Sequence, residues 1–497
     1  MSLVKLALIF LVAHLATALL FLFDRAPGTA AALVGLPLDD AWIHLVYARS
    51  LAGLHGFAFN PGQLETGSSS PLWALLLVPA SWVARLFSVS VVIPAKLTSL
   101  LAAVGASLGA ARLVRSLKFG LATELAAGLA IAADPSLGFA QVSGMEVMLA
   151  SALALLTLAE LSSERYGTAS FLAALAPLAR PEMALLTLLV LGVVEWRLYQ
   201  AHSSSRARLQ ILVPTVAFVG GWMLYCLLVS GYPLPSTFYA KFASRQAFFA
   251  RNLETIFAQV LPSWPWFARG AGLALWGIGA VVLFRRGLVA GVAAVFPVLF
   301  LLAVAASQLI TEPWPFYWQR YLLPAHPLLL VTVALGATVA IARAWQVRRR
   351  AWAPAYAMGV AVLVLGSLSD LPAALRKGAN LFAWNCQNIE ELNVAMAKWL
   401  RDNTLEGETI AVTDAGAARY FADRRIIDLV GLNDHRHLHR EPGREREVLG
   451  IRILSTFPAW LPSLRDNPAW QVIHQTATAR LTICNCPQSE IVAYQRR

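Results

Sequence analysis

Val4–Phe23 reads VKLALIFLVAHLATALLFLF, and Leu38–Trp42, a short way downstream, reads LDDAW. Twenty residues that are apolar apart from Lys5, His14 and Thr17 form a helix of about 30 Å, the thickness of a bilayer's hydrocarbon core. The stretch therefore reads as a membrane span that delivers the acidic pair Asp39-Asp40 to the far surface. Lys5 followed by Leu6–Phe23 also has the outline of a signal peptide. The long apolar run and the lack of a small-residue cleavage site after it favour a retained helix.

The pattern recurs along most of the 497 residues. Hydrophobic residues make up 58% of the chain and charged residues 14%, too little charge to cover a soluble protein of this length. Apolar segments lie near 4–23, 72–87, 91–112, 119–140, 144–161, 168–179, 182–199, 211–229, 271–283, 288–310, 321–342 and 352–370. The formal net charge of +12 suits basic cytoplasmic loops beside anionic lipid, and argues against nucleic acid as a partner. Arg197, Arg206 and Arg208 mark one such loop, Arg285-Arg286 a second, and Arg343 with Arg348-Arg349-Arg350 a third. With Lys5 inside, an odd number of crossings must separate Asp39-Asp40 from the loop at 197–208, yet six apolar segments lie between them. One segment between 71 and 140 is then not a full crossing, and about eleven transmembrane helices remain. The predicted fold is an all-α polytopic membrane domain over 1–370, with an outer loop at 24–71, followed by a small extracytoplasmic α/β domain over 371–497. The expected setting is a bacterial inner membrane, with the N-terminus cytoplasmic.

The C-terminal region differs in kind. Asn388–Asn403 has the spacing of an amphipathic helix, with Ile389, Leu392, Met396, Trp399 and Leu400 on one face. Thr409–Thr413 reads as a strand, Asp414-Ala415-Gly416 as a turn, and Arg425–Val430 as a second strand after a short helix. Of four cysteines, Cys226 lies in an apolar run, and Cys386 is placed to bridge to Cys484 or Cys486 if the region is outside the cytoplasm. His435, His437 and His439 alternate, so a strand would set them on one face as metal ligands. Arg436, Arg440 and Arg444 in the same stretch favour a solvated basic loop, and no metal site is assigned.

Two readings compete for Asp39-Asp40. In one, an aspartate caps the helix that starts at Ala41. In the other, a carboxylate at the membrane face acts as general base on an acceptor hydroxyl while a lipid phosphate departs. Ala41–Leu54, rich in Trp42, Ile43, Leu45, Val46 and Tyr47, reads as an interfacial helix with aromatics at headgroup depth. Lys241 and Arg320 are cations suited to a phosphate or to anchoring at headgroups. Arg180 is a third such cation, or the ion-pair partner of Glu182 or Glu146. Glu146 is correspondingly either that partner or a binder of sugar hydroxyls.

Several of these pieces resemble a known family. Asp39-Asp40-Ala41-Trp42-Ile43, Tyr47-Ala48-Arg49, His55-Gly56-Phe57, Phe59-Asn60-Pro61-Gly62 and Pro71-Leu72-Trp73 are similar to the first outer loop of GT-C membrane glycosyltransferases. The branch most resembled contains the mycobacterial terminal β-arabinofuranosyltransferase and the flagellar motor control protein ZomB. Gly144-Met145-Glu146, Arg180-Pro181-Glu182, Leu234–Lys241, Arg320–Pro324, Asp414-Ala415-Gly416 and Ile427–His435 resemble further elements in the same order. Ser236 and Ser68-Ser69-Ser70 depart from the commoner Asn and Tyr-Thr-Asn. The resemblance implies a polyprenyl-phosphate sugar donor, a glycan acceptor and inverting transfer at the outer face. It implies Asp39 as base with Asp40 as alternate, Lys241, Arg320 and Arg180 at the donor phosphate, and His44, Glu146, Glu182 and Tyr239 at the substrate. No cofactor is implied, and assistance by a divalent cation stays open. A lipid-linked sugar flippase and a non-catalytic envelope or motility factor are the competing functions. Transporters set their ionisable residues near the membrane midplane, whereas here the notable charges gather at one surface.

Overall fold

The computed structural model describes residues 1–23, 26–243, 266–308, 317–348, 350, 352–368, 370–482 and 489–497. Among these, five stretches contain helix long and apolar enough to cross a membrane: Leu3–Phe23, Val92–Ser116, Ser205–Ser230, His326–Gln346 and the apolar part of Ala353–Asn403. Shorter apolar helices, among them Leu121–Ala133, Val147–Ser162 and Tyr166–Ala179, fill the bundle between them. On Leu3–Phe23 the side chains of Val4, Leu8, Val12, Leu15, Leu19 and Phe23 are exposed. That spacing makes one apolar stripe with no protein partner, which in water would be costly and in lipid is the expected exterior. The chain is an integral membrane protein.

Within the bundle, small residues set the closest approach. A Cβ at Gly279 would stand 2.0 Å from the Thr332 carbonyl oxygen, and one at Gly336 would stand 1.8 Å from that of Leu275. The helices Trp266–Arg285 and His326–Gln346 thus touch backbone to backbone, as membrane helices without a hydrophobic drive between them tend to do. The buried His14 ring is tied off within the bundle, 2.5 Å from Gln141 Oε1 and 2.9 Å from Ser107 Oγ.

The bundle has two chemically distinct ends. On the long helix Val92–Ser116, Arg112 and Arg115 pair with Glu160 and Glu124 near its C-terminus. Arg286 lies over the Phe119 ring at this same end. Toward its N-terminus, Lys96 donates to the carbonyls of Ala32 and Leu33, and Ser99 to that of Met145. The second end therefore collects the 26–71 loop and Gly144-Met145-Glu146.

Two apolar segments differ from the expected spans. Residues 72–87 form two helices, Pro71–Leu76 and Val78–Phe87, of about 9 and 15 Å, each too short to cross a core of about 30 Å. Residues 119–140 break at Asp134, whose side chain accepts from Ser136 and Leu137 and so starts a new helix, Pro135–Gln141.

The C-terminal region is an α/β unit. Leu371–Ile389 continues through a π-helical turn, Glu390–Val394, into Ala395–Asn403. Its Ile389, Leu392, Met396 and Leu400 are buried, and Trp399 is partly buried against the same core. In the outer loop, β1 (Ala58–Asn60) and β2 (Gln63–Leu64) form a small hairpin around Gly62, whose φ of 73° suits glycine. The larger sheet has β3 (Thr409–Val412), β4 (Arg425–Asp428), β5 (Ile453–Thr456), β6 (Trp470–Ala477) and β7 (Glu490–Arg496), in the order β4-β3-β5-β7-β6. β3 runs parallel to β4 and β5, and β7 is antiparallel to β5 and β6. Cys386 is a buried free thiol that donates to the Gly35 carbonyl. Cys484 and Cys486 lie outside the described residues.

This unit clamps the outer loop. Asn60 exchanges two hydrogen bonds with the backbone of Ile426, at 2.8 and 2.9 Å. Tyr47 Oη donates to Asn433 at 3.0 Å, and Arg419 Nε to the Phe59 carbonyl at 2.9 Å. The helix Asp39–Ala52 is consequently buried, and its aromatics are not at a lipid interface. Trp42 packs on Tyr420 and Phe421 with ring centroids 5.0 and 4.6 Å away. The expected interfacial helix is a buried one, because the C-terminal unit covers the face that composition alone assigns to headgroups.

Candidate functional site

Adjacent residues on a helix project about 100° apart, so Asp39 and Asp40 face different surroundings. Neither caps its own helix: Leu38 holds the N-cap position and the first turn receives no side-chain bond. Asp39 caps another helix instead. Its two oxygens accept from Gly416 N at 2.6 Å and Ala417 N at 2.8 Å, the first amides of Gly416–Ala422. The fit requires glycine there, since a Cβ at Gly416 would stand 2.2 Å from the Asp39 carbonyl oxygen. Asp39 is 1% exposed. Its carboxyl also meets that of Asp414, which accepts from Asn393 Nδ2 at 2.6 Å. Burial pushes Asp39 above the ordinary carboxylate range despite its hydrogen bonds. Burial, reinforced by the neighbouring Asp39 charge, pushes Asp414 well above it. Two carboxyls in contact away from water hold a proton between them far more readily than either does alone.

Asp40 turns the other way, into the bundle end. Its Oδ2 lies 2.5 Å from Arg320 Nη2, and its side chain is 28% exposed. Arg320 also donates to Tyr321 Oη at 3.1 Å. The Tyr321 ring carries two guanidinium groups, Arg180 at 4.9 Å and Arg320 at 5.0 Å from its centroid, an arrangement favoured by the negative ring face. Arg180 pairs with Glu146 through Nη1 and with Glu182 through Nη2 at 3.2 Å. His44, one helical turn after Asp40, brings Nε2 within 3.2 Å of Glu146 Oε2. Trp73 Nε1 donates to the Gly144 carbonyl at 3.0 Å and fixes the loop that carries Glu146.

Six residues singled out in the sequence thus converge at one end of the bundle: Asp40, His44, Glu146, Arg180, Glu182 and Arg320. Arg180 uses both of its expected partners. Asp39 stands outside this cluster, at the domain interface. Tyr239 is elsewhere too, with its ring centroid 5.2 Å from that of Tyr232 and 5.7 Å from that of His439. The side chain of Lys241 lies outside the described residues. The three alternating histidines are not on a strand: His435 and His437 fall in the short helix His435–Leu438 and His439 ends it. His435 Nδ1 is engaged by Glu65 Oε2 at 2.7 Å. Among the described residues, no group of three or more His, Cys, Asp or Glu stands in a metal-holding arrangement.

Two contributors stand in motifs that the sequence marked without assigning them a role. Tyr321 was visible only as the neighbour of Arg320. Asp414 reads as a turn residue, and nothing local marks it as the partner of a carboxyl far back in the chain.

Residues 385–495 match a domain of unknown function, DUF8728. No curated protein matches the chain. Solved structures do. ArnT from Cupriavidus metallidurans in the apo state is 14% identical with a TM-score of 0.60, and the match covers 98% of this chain and 97% of that one. The same protein bound to undecaprenyl phosphate gives 15% and 0.59 over the same coverage. The archaeal oligosaccharyltransferase AglB from Archaeoglobus fulgidus, in complex with an inhibitory peptide and a dolichol-phosphate, gives 11% and 0.57, covering 90% of this chain and 69% of that one. The chain shares their fold, mostly helical with a smaller sheet-bearing region.

Proposed function

We propose that this chain is an integral membrane glycosyltransferase that moves a sugar from a polyprenyl-phosphate donor to a cell-envelope glycan acceptor, with Asp40 as general base. The observation that carries the reading is the convergence of Asp40, His44, Glu146, Arg180, Glu182 and Arg320 at one bundle end, in a fold shared with proteins solved on undecaprenyl phosphate and dolichol-phosphate. Arabinofuranose is the sugar that the motif resemblance favours.

In the proposed reaction, the acceptor hydroxyl loses its proton to an Asp40 carboxylate oxygen as its own oxygen bonds the anomeric carbon. The bond from that carbon to the phosphate oxygen breaks, and its electron pair leaves with the polyprenyl phosphate. Arg320 and Lys241 hold the phosphate as charge builds on the departing oxygen. Arg180 is already matched by Glu146 and Glu182 and positions Tyr321 and Arg320. His44, Glu146 and Glu182 line the sugar side. Asp40 is preferred to Asp39 as base because Asp39 has both oxygens engaged by backbone amides and is closed off from substrate.

The proposed topology has eleven crossings. Pro71–Phe87 lies along the outer surface, and Arg112, Arg115 and Arg286 face the cytoplasm. The acidic-pair end and residues 371–497 then lie outside the bacterial inner membrane. The test is transfer by purified protein supplied with a polyprenyl-phosphate sugar. Asp40→Asn is expected to lower turnover by about a hundredfold or more with unchanged thermal stability. Wild-type turnover in that variant would end the assignment.

A further inference from the structure

We propose that Tyr232, Tyr239 and His439 form an acceptor subsite, an aromatic corner that holds a sugar ring of the glycan chain some way back from the hydroxyl that reacts. This rests on the reading of the chain as a glycosyltransferase and adds to it the place where an extended acceptor rests.

The local sequence builds the corner. Gly231, with a φ of 76°, ends the apolar helix Gly221–Ser230 in a left-handed cap. Pro233 and Pro235 follow and keep the chain out of helix until Ser236. Ser236 then ties the new helix, Ser236–Ala243, to the outer loop. Its amide donates to the Thr66 carbonyl at 3.2 Å, and the two hydroxyls lie 2.7 Å apart. Tyr232, before this helix, and Tyr239, within it, both meet His439 of the C-terminal unit. The Tyr232 and His439 rings stack with centroids 3.7 Å apart and planes 11° from parallel. Tyr239 stands across both, at 60° to Tyr232 and 68° to His439. The stack is one wall and the Tyr239 ring the other. His439 covers one face of Tyr232, yet that residue is 40% exposed, so its remaining surface is open.

Tyrosines just past the end of a span commonly anchor at lipid headgroups. An anchor needs only its own ring in the interface. Here the ring of Tyr232 is held flat on an imidazole brought by another part of the fold. The neighbouring nitrogens His437 Nδ1 and His439 Nε2 are buried with no hydrogen-bond partner among the described residues, which is costly. Acyl chains would leave them so, whereas a sugar brings hydroxyls. A sugar ring also has a face of C–H bonds, drawn to the negative face of an aromatic ring, and a rim of hydroxyls suited to the two phenols.

The corner is also tied to the helix that carries the proposed base. Asp40, His44 and Tyr47 share one face of Asp39–Ala52. Tyr47 Oη donates to Asn433 at 3.0 Å, and His435 Nδ1 lies 2.7 Å from Glu65 Oε2, beside Thr66. The segment leading to His439 thus starts at the far end of that face, about 10 Å along the axis from Asp40. A subsite displaced in this way serves a sugar other than the reacting one, so it favours long acceptors over short ones.

The experiment titrates the full chain in nanodiscs with a linear arabinofuranose disaccharide and hexasaccharide, read by saturation-transfer NMR. Wild type is expected to bind the hexasaccharide more tightly. Tyr232→Ala and His439→Ala should each weaken the hexasaccharide by about tenfold and leave the disaccharide near wild type. Tyr232→Trp, which keeps a ring there, should preserve the preference. Absence of hexasaccharide binding by wild type would overturn the subsite. So would unchanged hexasaccharide affinity in both alanine variants, or an equal loss for both probes. A fall in thermal stability with affinity intact would mark Tyr232 as a lipid anchor and overturn it as well. Undecaprenyl phosphate binding is measured in parallel. Its absence in wild type would overturn the glycosyltransferase reading, whereas its presence beside a failed oligosaccharide result would overturn the subsite alone.

Discussion

Replacing Asp39 separates its role from that of its neighbour. In the native interface its carboxylate accepts two backbone amides, at 2.6 and 2.8 Å, and meets the Asp414 carboxyl. Asp39→Ala leaves both amides and Asp414 buried without that partner. Hydrogen bonds to a charged group contribute about 1.5–3 kcal/mol each, and unpartnered buried donors add their desolvation cost, so a loss of about 3–5 kcal/mol in docking is expected. Asp39→Asn keeps one acceptor but turns an NH2 group toward an N–H donor, for a loss of about 1.5–3 kcal/mol. Hydrogen exchange at Gly416 and Ala417 reads this directly. A loss of 3 kcal/mol accelerates exchange by roughly a hundredfold where opening is local. Asp40→Asn, facing the bundle, should leave those amides at wild-type protection while abolishing transfer. Native protection of Gly416 and Ala417 in Asp39→Ala would refute the capping role. Deprotection in Asp40→Asn but not in Asp39→Ala would show that the two aspartates had been assigned the wrong way round.

Three further outcomes follow from the same interface and site. Gly416→Ala places a methyl 2.2 Å from the Asp39 carbonyl oxygen and should weaken docking by about 1–3 kcal/mol, seen as easier proteolysis between the bundle and residues 409–422. Docking should also weaken as pH rises. Asp414 has a raised pKa in the folded chain, so its favourable contribution is full below the unfolded value of about 3.9 and is lost as pH rises through the folded one. Asp414→Asn, which mimics the protonated acid, should flatten that dependence in thermal melts. Glu146→Gln removes a charge from the buried Arg180 and the bond partner of His44. Its melting point in detergent should fall by the equivalent of about 3–5 kcal/mol, whereas Glu182→Gln, at a more exposed group, should be milder.

How much of this was legible beforehand follows from what each property depends on. Membrane residence depends on composition and on the length of apolar runs, which are properties of the chain taken in order. The apolar runs near 4–23 and 91–112 therefore declared themselves, and Glu146, Arg180 and Arg320, each at the mouth of such a run, gather at one end of the bundle. Helix lengths were less legible: a span at 72–87 gave way to two short helices because hydropathy does not register a break such as the one at Leu77. The identity of each contact depended on angle and distance instead. Whether Asp39 or Asp40 faces the bundle is a matter of helix phase relative to Gly416, which lies 377 positions away. The aromatic face of Asp39–Ala52 is apolar in either a lipid or a protein setting, so only the packing of Tyr420 and Phe421 against Trp42 decided between them. The acidic pair and its place beyond the first span belong to the sequence. That one carboxylate locks two domains together while the other meets an arginine at the bundle end belongs to the tertiary structure, because a rotation of about 100° between adjacent residues acquires meaning only once both surfaces are in place.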